Sequence, residues 1–566
     1  FPVRDPFFMM IRRSLNTFMN AFTTSDYTAY PFASQNRKDY FNLLEVYLDA
    51  VFFSRLDPLD FSQEGHRIEF QDPEDSNSPL VYKGVVYNEM KGDTSSPVSM
   101  LYQATQEALY PTSTYHYNSG GDPASIPSLS YEQLRAFYQS HYHPSNAIFM
   151  TFGDLDAVTV QRKIASLALD RLEPSSAPPI AVVPEVRYKQ PVVRELSYPV
   201  DEDDTSGKTH IVLAWLLGKN TDLKMLLRCH LLSDVLLDTS ASPLRHALEK
   251  TDLATAASPM CGFEEDHMEM NFMCGVEGSE PEHADAIERL VLGVLENVAK
   301  QGIAEDRLEA VLHQLELSQR EIGGDGWPYG LQLIFSCMSA AVHRGDPIGL
   351  LDLDAALQEM RQEIKDPGFI KRLVSELLLG NSHRVKVIMK PDRELASRLI
   401  EEEQSKLEAL RTSFSDAERS NVLELAEALK KRQSQKEDLS LLPQVTRADI
   451  PPSKAFPVLG GERIKSRSLE AQAASGIRLT TAKAGTNGIT FHQVVSPLPA
   501  LTIPLLGLLP IYSQVVTEVG SAGRDYLETQ QAQHSTTGGI SAFSSFRSDL
   551  NDCDDGRGFL TLSSRT

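Results

Sequence analysis

Three histidines in this 566-residue sequence stand where half of a zinc-peptidase motif would stand. Such a motif, HExxH or its inverted form HxxEH, sets two imidazole ligands one helical turn apart with a glutamate base beside them. His66-Arg67-Ile68-Glu69 is followed by Phe70, His246-Ala247-Leu248-Glu249 by Lys250, and His313-Gln314-Leu315-Glu316 by Leu317. Each lacks the second histidine, so none offers two imidazoles from one helix face, and all three read as ordinary surface or core residues. His141 and His143 stand two apart before Pro144. That spacing can bind a metal on a strand, but capping or packing is the simpler reading. There is no GxSxG elbow and no phosphate-loop lysine. Asn118-Ser119-Gly120-Gly121-Asp122 reads as a turn and Gly323-Gly324-Asp325-Gly326 as a flexible connection. On this chemistry alone the chain is a multidomain α+β protein without an assignable activity.

Composition removes several other classes. Fifty-four Lys and Arg against 77 Asp and Glu leave a formal charge of −23. A nucleic-acid binder needs the opposite balance to displace condensed counterions, and an anionic membrane surface would repel this chain. The charge suits a basic or neutral peptide substrate, although solubility alone accounts for it. Cys229, Cys261, Cys274, Cys337 and Cys553 are odd in number and widely spaced, which is neither a disulfide framework nor a zinc finger. A reducing compartment is the simplest home for them. No apolar run reaches the roughly 20 residues that span a bilayer. Leu501 to Val516, interrupted by Pro504 and Pro510, reads as a buried segment.

The elements that would position any chemistry alternate between helix and strand. The text predicts a helix from Met9 to Phe22, a strand from Thr24 to Tyr30, and an amphipathic helix through Tyr40 to Phe52. A loop follows from Gln71 to Pro79. Ser130 starts a helix that stops near His143-Pro144, and Ala147 to Phe152 reads as a buried strand ended by Gly153. Repeated prolines and an acidic run predict a linker from Pro174 to Asp204. Then come a strand from His210 to Leu217, helices over Asp222–Leu237, Pro243–Lys250, Pro281–Lys300 and Ala304–Glu321, and a strand from Arg384 to Met389. The highly charged stretch from Arg393 to Lys436 reads as a helical hairpin, restarted by a capping box at Ser415 and Glu418. The chain thus contains two repeats of one α+β unit, a hairpin and the beginning of a third unit.

Several long blocks add a resemblance to this reading. They are Phe1-Pro2-Val3-Arg4-Asp5-Pro6-Phe7-Phe8, Asn16 to Thr23, Asp26 to Phe32, Gly84-Val85-Val86-Tyr87-Asn88-Glu89-Met90-Lys91-Gly92, Tyr115 to Pro123 and His141 to Ala147. Together they resemble the presequence-protease family, within the pitrilysin/insulinase superfamily of HxxEH zinc metallopeptidases, over essentially the whole chain. The resemblance implies α+β, insulinase-like units, each a sheet flanked by helices. Its expected bounds are 1–180 for a first peptidase unit without its HxxEH start and 195–392 for a second, non-catalytic unit. A hairpin linker at 393–440 and a partial third, peptidase-associated unit at 441–566 complete the expectation, with both ends of the enzyme outside the sequence.

The resemblance also implies a reaction: zinc-dependent endoproteolysis of targeting peptides and other short unstructured peptides. In that family HxxEH precedes the Pro-Val-Arg-Asp-Pro block, and Glu89 matches the third zinc ligand. One Zn2+ would serve the complete enzyme, with two of its three protein ligands and the catalytic base outside these residues. Asn20, Ala21 and Phe22 resemble an edge strand that pairs with substrate backbone. The expectation is therefore a fragment inactive by itself and monomeric when complete. Its partners would be peptides rather than nucleic acid or membrane, in a bacterial cytoplasm or a mitochondrial or plastid interior. The alternative is a catalytically silent superfamily member acting as a peptide-binding or partner subunit.

Overall fold

Short polar caps set where the helices of this chain begin, and the computed structural model shows many of them made. It describes residues 3–548 apart from 74, 176–178, 324–325, 452–464, 469–477 and 482–484, together with 552, 554 and 556–566. Among the described residues no helix is long and apolar enough to cross a membrane. Two compact units are formed, Phe1–Ile303 with Gly330–Gln444, and Ala304–Tyr329 with Val445–Thr566.

In the first unit, Asp5 accepts the N–H of Phe8 and opens α1 (Pro6–Ile11). Two small antiparallel pairs follow: β1 (Asn16–Met19) with β4 (Phe32–Ser34), and β2 (Phe22–Thr23) with β3 (Thr28–Ala29). Asn36 caps α2 (Arg37–Phe52), whose Leu43, Val46, Tyr47 and Leu48 are buried at helical spacing. The one-turn α3 (Pro58–Asp60) leads to β5 (Arg67–Phe70), paired antiparallel with β6 (Leu80–Lys83). Then come α4 (Val85–Asp93), α5 (Pro97–Leu109), α6 (Tyr131–His141) and α7 (Ala157–Leu167). Ser130 and Gln133 form a full capping box at the start of α6.

The larger sheet is built from β7 (Val192–Pro199), β8 (Thr209–Lys219), β9 (Ala256–Ala257), β10 (Gly262–Glu264), β11 (Glu269–Ser279) and β12 (Arg384–Asp392). Its order is β10-β11-β8-β12-β7, with β9 on β11. Only β7 and β12 run parallel. Because side chains alternate along a strand, β8 has two inner faces. Val212, Ala214 and Leu216 pack with Val385, Val387 and Met389 against Leu101, Ala104 and Leu109 of α5. On the other face Ile211, Leu213 and Trp215 are fully buried, where α8 (Leu223–Leu237) and α10 (Ala284–Gln301) contact the sheet. A helix from the first segment thus covers a sheet made by the second. The short α9 (Pro243–Lys250) packs on α8 and α10.

After α11 (Glu305–Arg320), which belongs to the second unit, the chain returns through α12 (Tyr329–Val342), α13 (Leu353–Glu363) and α14 (Phe369–Val374). The charged stretch is a hairpin of α15 (Leu395–Ser413) and α16 (Asp416–Ser434), with both halves of the Ser415–Glu418 capping box present. Leu407 of that hairpin packs on Phe70 and Leu80. The second unit holds a pair of β13 (Lys465–Ser468) and β14 (Arg478–Thr481). It also holds a three-stranded antiparallel sheet, ordered β15 (Phe491–Pro497), β17 (Gly556–Arg565), β16 (Ile540–Ser548), with helices α17 (Ile503–Val515) and α18 (Tyr526–Thr536).

Four local expectations fail, each for a physical reason. Met9 to Phe22 is not one helix, because α1 stops at Ile11. Ser14 Oγ then binds the backbone and side chain of Asn16, and the chain turns into β1 and β2. Ala147 to Phe152 has strand-like composition but no strand, and Ile148, Phe149 and Phe152 are exposed. No described strand lies beside this stretch, and an extended segment needs a paired neighbour to be stable. The proline-rich stretch from Pro174 to Asp204 contains β7, whose outward charges Arg194 and Glu195 hide its pattern. Leu501 to Val516 is a helix with Pro510 inside it and mostly exposed side chains, not a buried segment.

Candidate functional site

Glu89 sits on α4, and three fixings decide which way that helix faces. Its first residue follows Gly84, whose position leaves no room for a side chain: a Cβ there would lie 2.1 Å from the Gly65 carbonyl oxygen. Further along, a Cβ at Gly120 would lie 2.2 Å from Met90 Sδ, so the buried Met90 is seated against that backbone. On the hairpin side, Lys91 Nζ pairs with Glu403 at 2.7 Å and the Tyr87 hydroxyl donates to the same carboxylate at 3.2 Å. Tyr87 and Lys91 are four apart and share a face, whereas Glu89 lies two residues from each and projects from the opposite side. Val85, Val86, Asn88 and Glu89 are accordingly exposed.

The ligand set for zinc is not complete in these residues. Among the described residues no group of three His, Cys, Asp or Glu is placed to hold a metal. A catalytic zinc needs three protein ligands and an open position, so the exposed Glu89 supplies one donor of a set whose imidazoles are not here. No catalytic step is derived through the metal. The histidines near the quoted blocks are otherwise engaged. His66 Nε2 is 2.8 Å from the Leu129 carbonyl oxygen, and His246 Nδ1 is 3.1 Å from that of Ser240. His143 Nδ1 accepts the Ser145 N–H at 3.1 Å as a helix cap, and His141 stacks on Phe137 with ring centres 3.8 Å apart. The capping and packing reading of the His141–His143 pair therefore stands.

Asn20, Ala21 and Phe22 form the joint between β1 and β2. Asn20 and Ala21 are exposed. The Asn20 N–H donates to the Pro31 carbonyl at 3.1 Å, and Asn20 Oδ1 accepts the Ala21 N–H at 2.8 Å. Buried Tyr47 donates to the Asn20 carbonyl at 3.4 Å, which ties the joint to α2. Each of β1 and β2 has one strand partner among the described residues, so each keeps an unpaired edge. Such an edge offers backbone donors and acceptors that a peptide can add to as a further strand. The principal contacts of α4 are with β6 and the Phe61–Gly65 turn, not with β1 or β2.

One cluster behind this joint was not singled out from the sequence. Asp26, at the β2–β3 turn, takes a 3.1 Å contact from His343 Nε2 and a 2.7 Å bond from the Tyr115 hydroxyl. The two paired side chains are 2% and 5% exposed. Burial pushes the Asp26 carboxyl up, but bonds from His343, Tyr115 and Thr24 more than offset it and hold the group below the usual range. The available signal was the Asp26-Tyr27 pair inside a quoted block. Nothing in the sequence joins it to a histidine more than 300 positions away.

Comparisons with known proteins agree with the blocks. Residues 128–315 match the family model described as peptidase M16 inactive domain, and residues 389–566 match the model for the associated domain of M16 peptidases of subfamily C. A mitochondrial presequence protease of Xenopus laevis is 37% identical over 98% of this chain and 53% of its own length. A chloroplastic/mitochondrial presequence protease 1 of Arabidopsis thaliana is 34% identical over 96% of this chain and 50% of its own. The chain spans about half the length of the curated relatives it matches. A solved protease from Helicobacter pylori superposes with a TM-score of 0.49 at 16% identity, covering 68% of this chain and 83% of that one.

Proposed function

We propose, for a chain that belongs to the M16 peptidase family, that it is the peptide-engaging front portion of a zinc-dependent metalloendopeptidase acting on targeting peptides and other short unstructured peptides. The observation that carries this reading is similarity to presequence proteases along nearly the whole chain. The exposed Glu89 and the unpaired edge at Asn20–Phe22 supply what such an enzyme requires: one hard anionic ligand and a backbone template indifferent to sequence. The whole protein would use Glu89 with two imidazoles to hold one zinc, whose chemistry is to lower the pKa of bound water. The relatives' names favour a mitochondrial or plastid interior. The division at 1–180, 195–392, 393–440 and 441–566 belongs to the same proposal.

The 566 residues alone neither retain zinc through dialysis nor cleave an unstructured peptide. A chelator-sensitive hydrolysis by the purified chain would overturn that. In the whole protein, Glu89→Gln lowers zinc content from one per molecule to near zero and abolishes hydrolysis, while unchanged zinc content would remove Glu89 from the ligand set. A second reading, a silent subunit that binds peptides, is favoured by the lack of HxxEH in these residues. It is distinguished by peptide binding without turnover in the whole protein.

A further inference from the structure

We propose that α12 forms one wall of the peptide groove along β1, and that Phe335 on it completes an aromatic subsite selecting an aromatic side chain of the bound peptide. This rests on the reading of the β1–β2 edge as the peptide template. Phe18 and Phe22 stack with ring centres 6.2 Å apart, and Phe335 meets Phe22 edge-on at 5.7 Å. All three rings are partly exposed. When a peptide adds to a strand edge, the residue opposite Phe18 lies on the same face of the extended sheet, with its Cβ roughly 5 Å from that of Phe18. That side chain therefore meets the cluster of three rings. Such a cluster favours another ring, by area and by edge-to-face contact.

The wall is held at both ends. At its start, a Cβ on Gly330 would lie 2.2 Å from the Phe152 ring, so α12 is seated on that side chain. Just past its end, His343 is paired with Asp26, and Asp26 is tied to Tyr115 and Thr24. Tyr115 in turn accepts the Met268 N–H at 2.8 Å and stacks on His267 with centres 4.2 Å apart. The Asp26–His343 pair thus links α12 to the β2–β3 turn and, through Tyr115, to the segment before β11. In this scheme Phe335 touches substrate and His343 is a positioning residue.

The test is fluorescence-anisotropy binding of labelled unstructured peptides to the 566-residue chain, with Phe, Leu, Arg or Gly at one central position. The Phe peptide is expected to bind about tenfold tighter than the Gly peptide. Phe335→Ala should erase most of that preference while leaving Gly-peptide affinity unchanged, and Phe335→Leu should keep part of it. His343→Gln should weaken the preference with circular dichroism unchanged. A matched Phe peptide N-methylated on alternate residues should lose binding, because it cannot pair with an edge. Sensitivity to N-methylation with no Phe preference, an Arg preference, or a preference that survives Phe335→Ala overturns the aromatic subsite and leaves the edge reading standing. Binding that is absent, or indifferent to N-methylation, overturns the edge reading and this inference with it.

Discussion

At the scale of single residues, the positions that set the candidate ligand are glycines and charge pairs rather than the ligand itself. Gly84→Ala forces a Cβ into the Gly65 carbonyl, and the backbone has to shift at the start of α4. We expect a loss of about 2–3 kcal/mol in urea denaturation, with Glu89→Ala close to neutral in the same experiment. Two buried aspartates respond to pH with opposite signs. Asp26 is held below its usual value, so its stabilisation is present above the unfolded aspartate value near 3.9 and is lost as pH falls through the lower folded value. Asp26→Asn should cost about 3 kcal/mol near neutrality, since it strands His343 in a buried site. Asp234 on α8 is pushed up to about 6 by burial and by Asp238. The folded state then binds the extra proton, so stability rises as pH falls from about 6 towards 4. Asp234→Asn should stabilise the protein at pH 7, on the order of 1–2 kcal/mol, and flatten that slope in melting curves across pH. Neither effect was legible in the sequence, because burial depends on partners far along the chain. Glu89 was singled out only through its block, since an exposed helical glutamate carries no signal of its own.

Among elements, helices were legible and strands less so. The amphipathic runs at α2, α8, α10 and α11 gave their spans to within a few residues, and the Ser415–Glu418 box marked the restart of the hairpin. These signals are local: a cap and a repeat of 3.6 residues need no distant partner. Ala147 to Phe152 shows the contrary case, where composition suits a strand but the pairing neighbour decides. The helix expected over Met9 to Phe22 failed likewise, because β4 captures Asn16–Met19. Ser415→Ala should destabilise the hairpin by about 1 kcal/mol, seen as faster amide exchange in α16 with little change elsewhere.

For the whole molecule, the second unit leaves much apolar surface in water. Val494 on β15 is 60% exposed and Ile503 on α17 is 84% exposed, with Leu508, Ile511 and Phe546 also open. The purified chain should therefore enhance the fluorescence of an apolar dye severalfold and self-associate. Val494→Lys should reduce association in sedimentation velocity, because a lysine on an edge strand opposes pairing. The alternation of strands and helices gave the mixed α+β class from sequence, but not the covering of the larger sheet by α5, which no local pattern encodes. The parallel pairing of β7 with β12 bears on how such a protein is made. Val192 lies beside Val385, so nearly two hundred residues must be synthesised between the two halves of one ladder. During translation β7 waits with its inner edge unpaired while β8, β11 and their helices assemble. For that interval the nascent chain exposes a template that other strands could occupy, and a chaperone would be needed there rather than at either terminus.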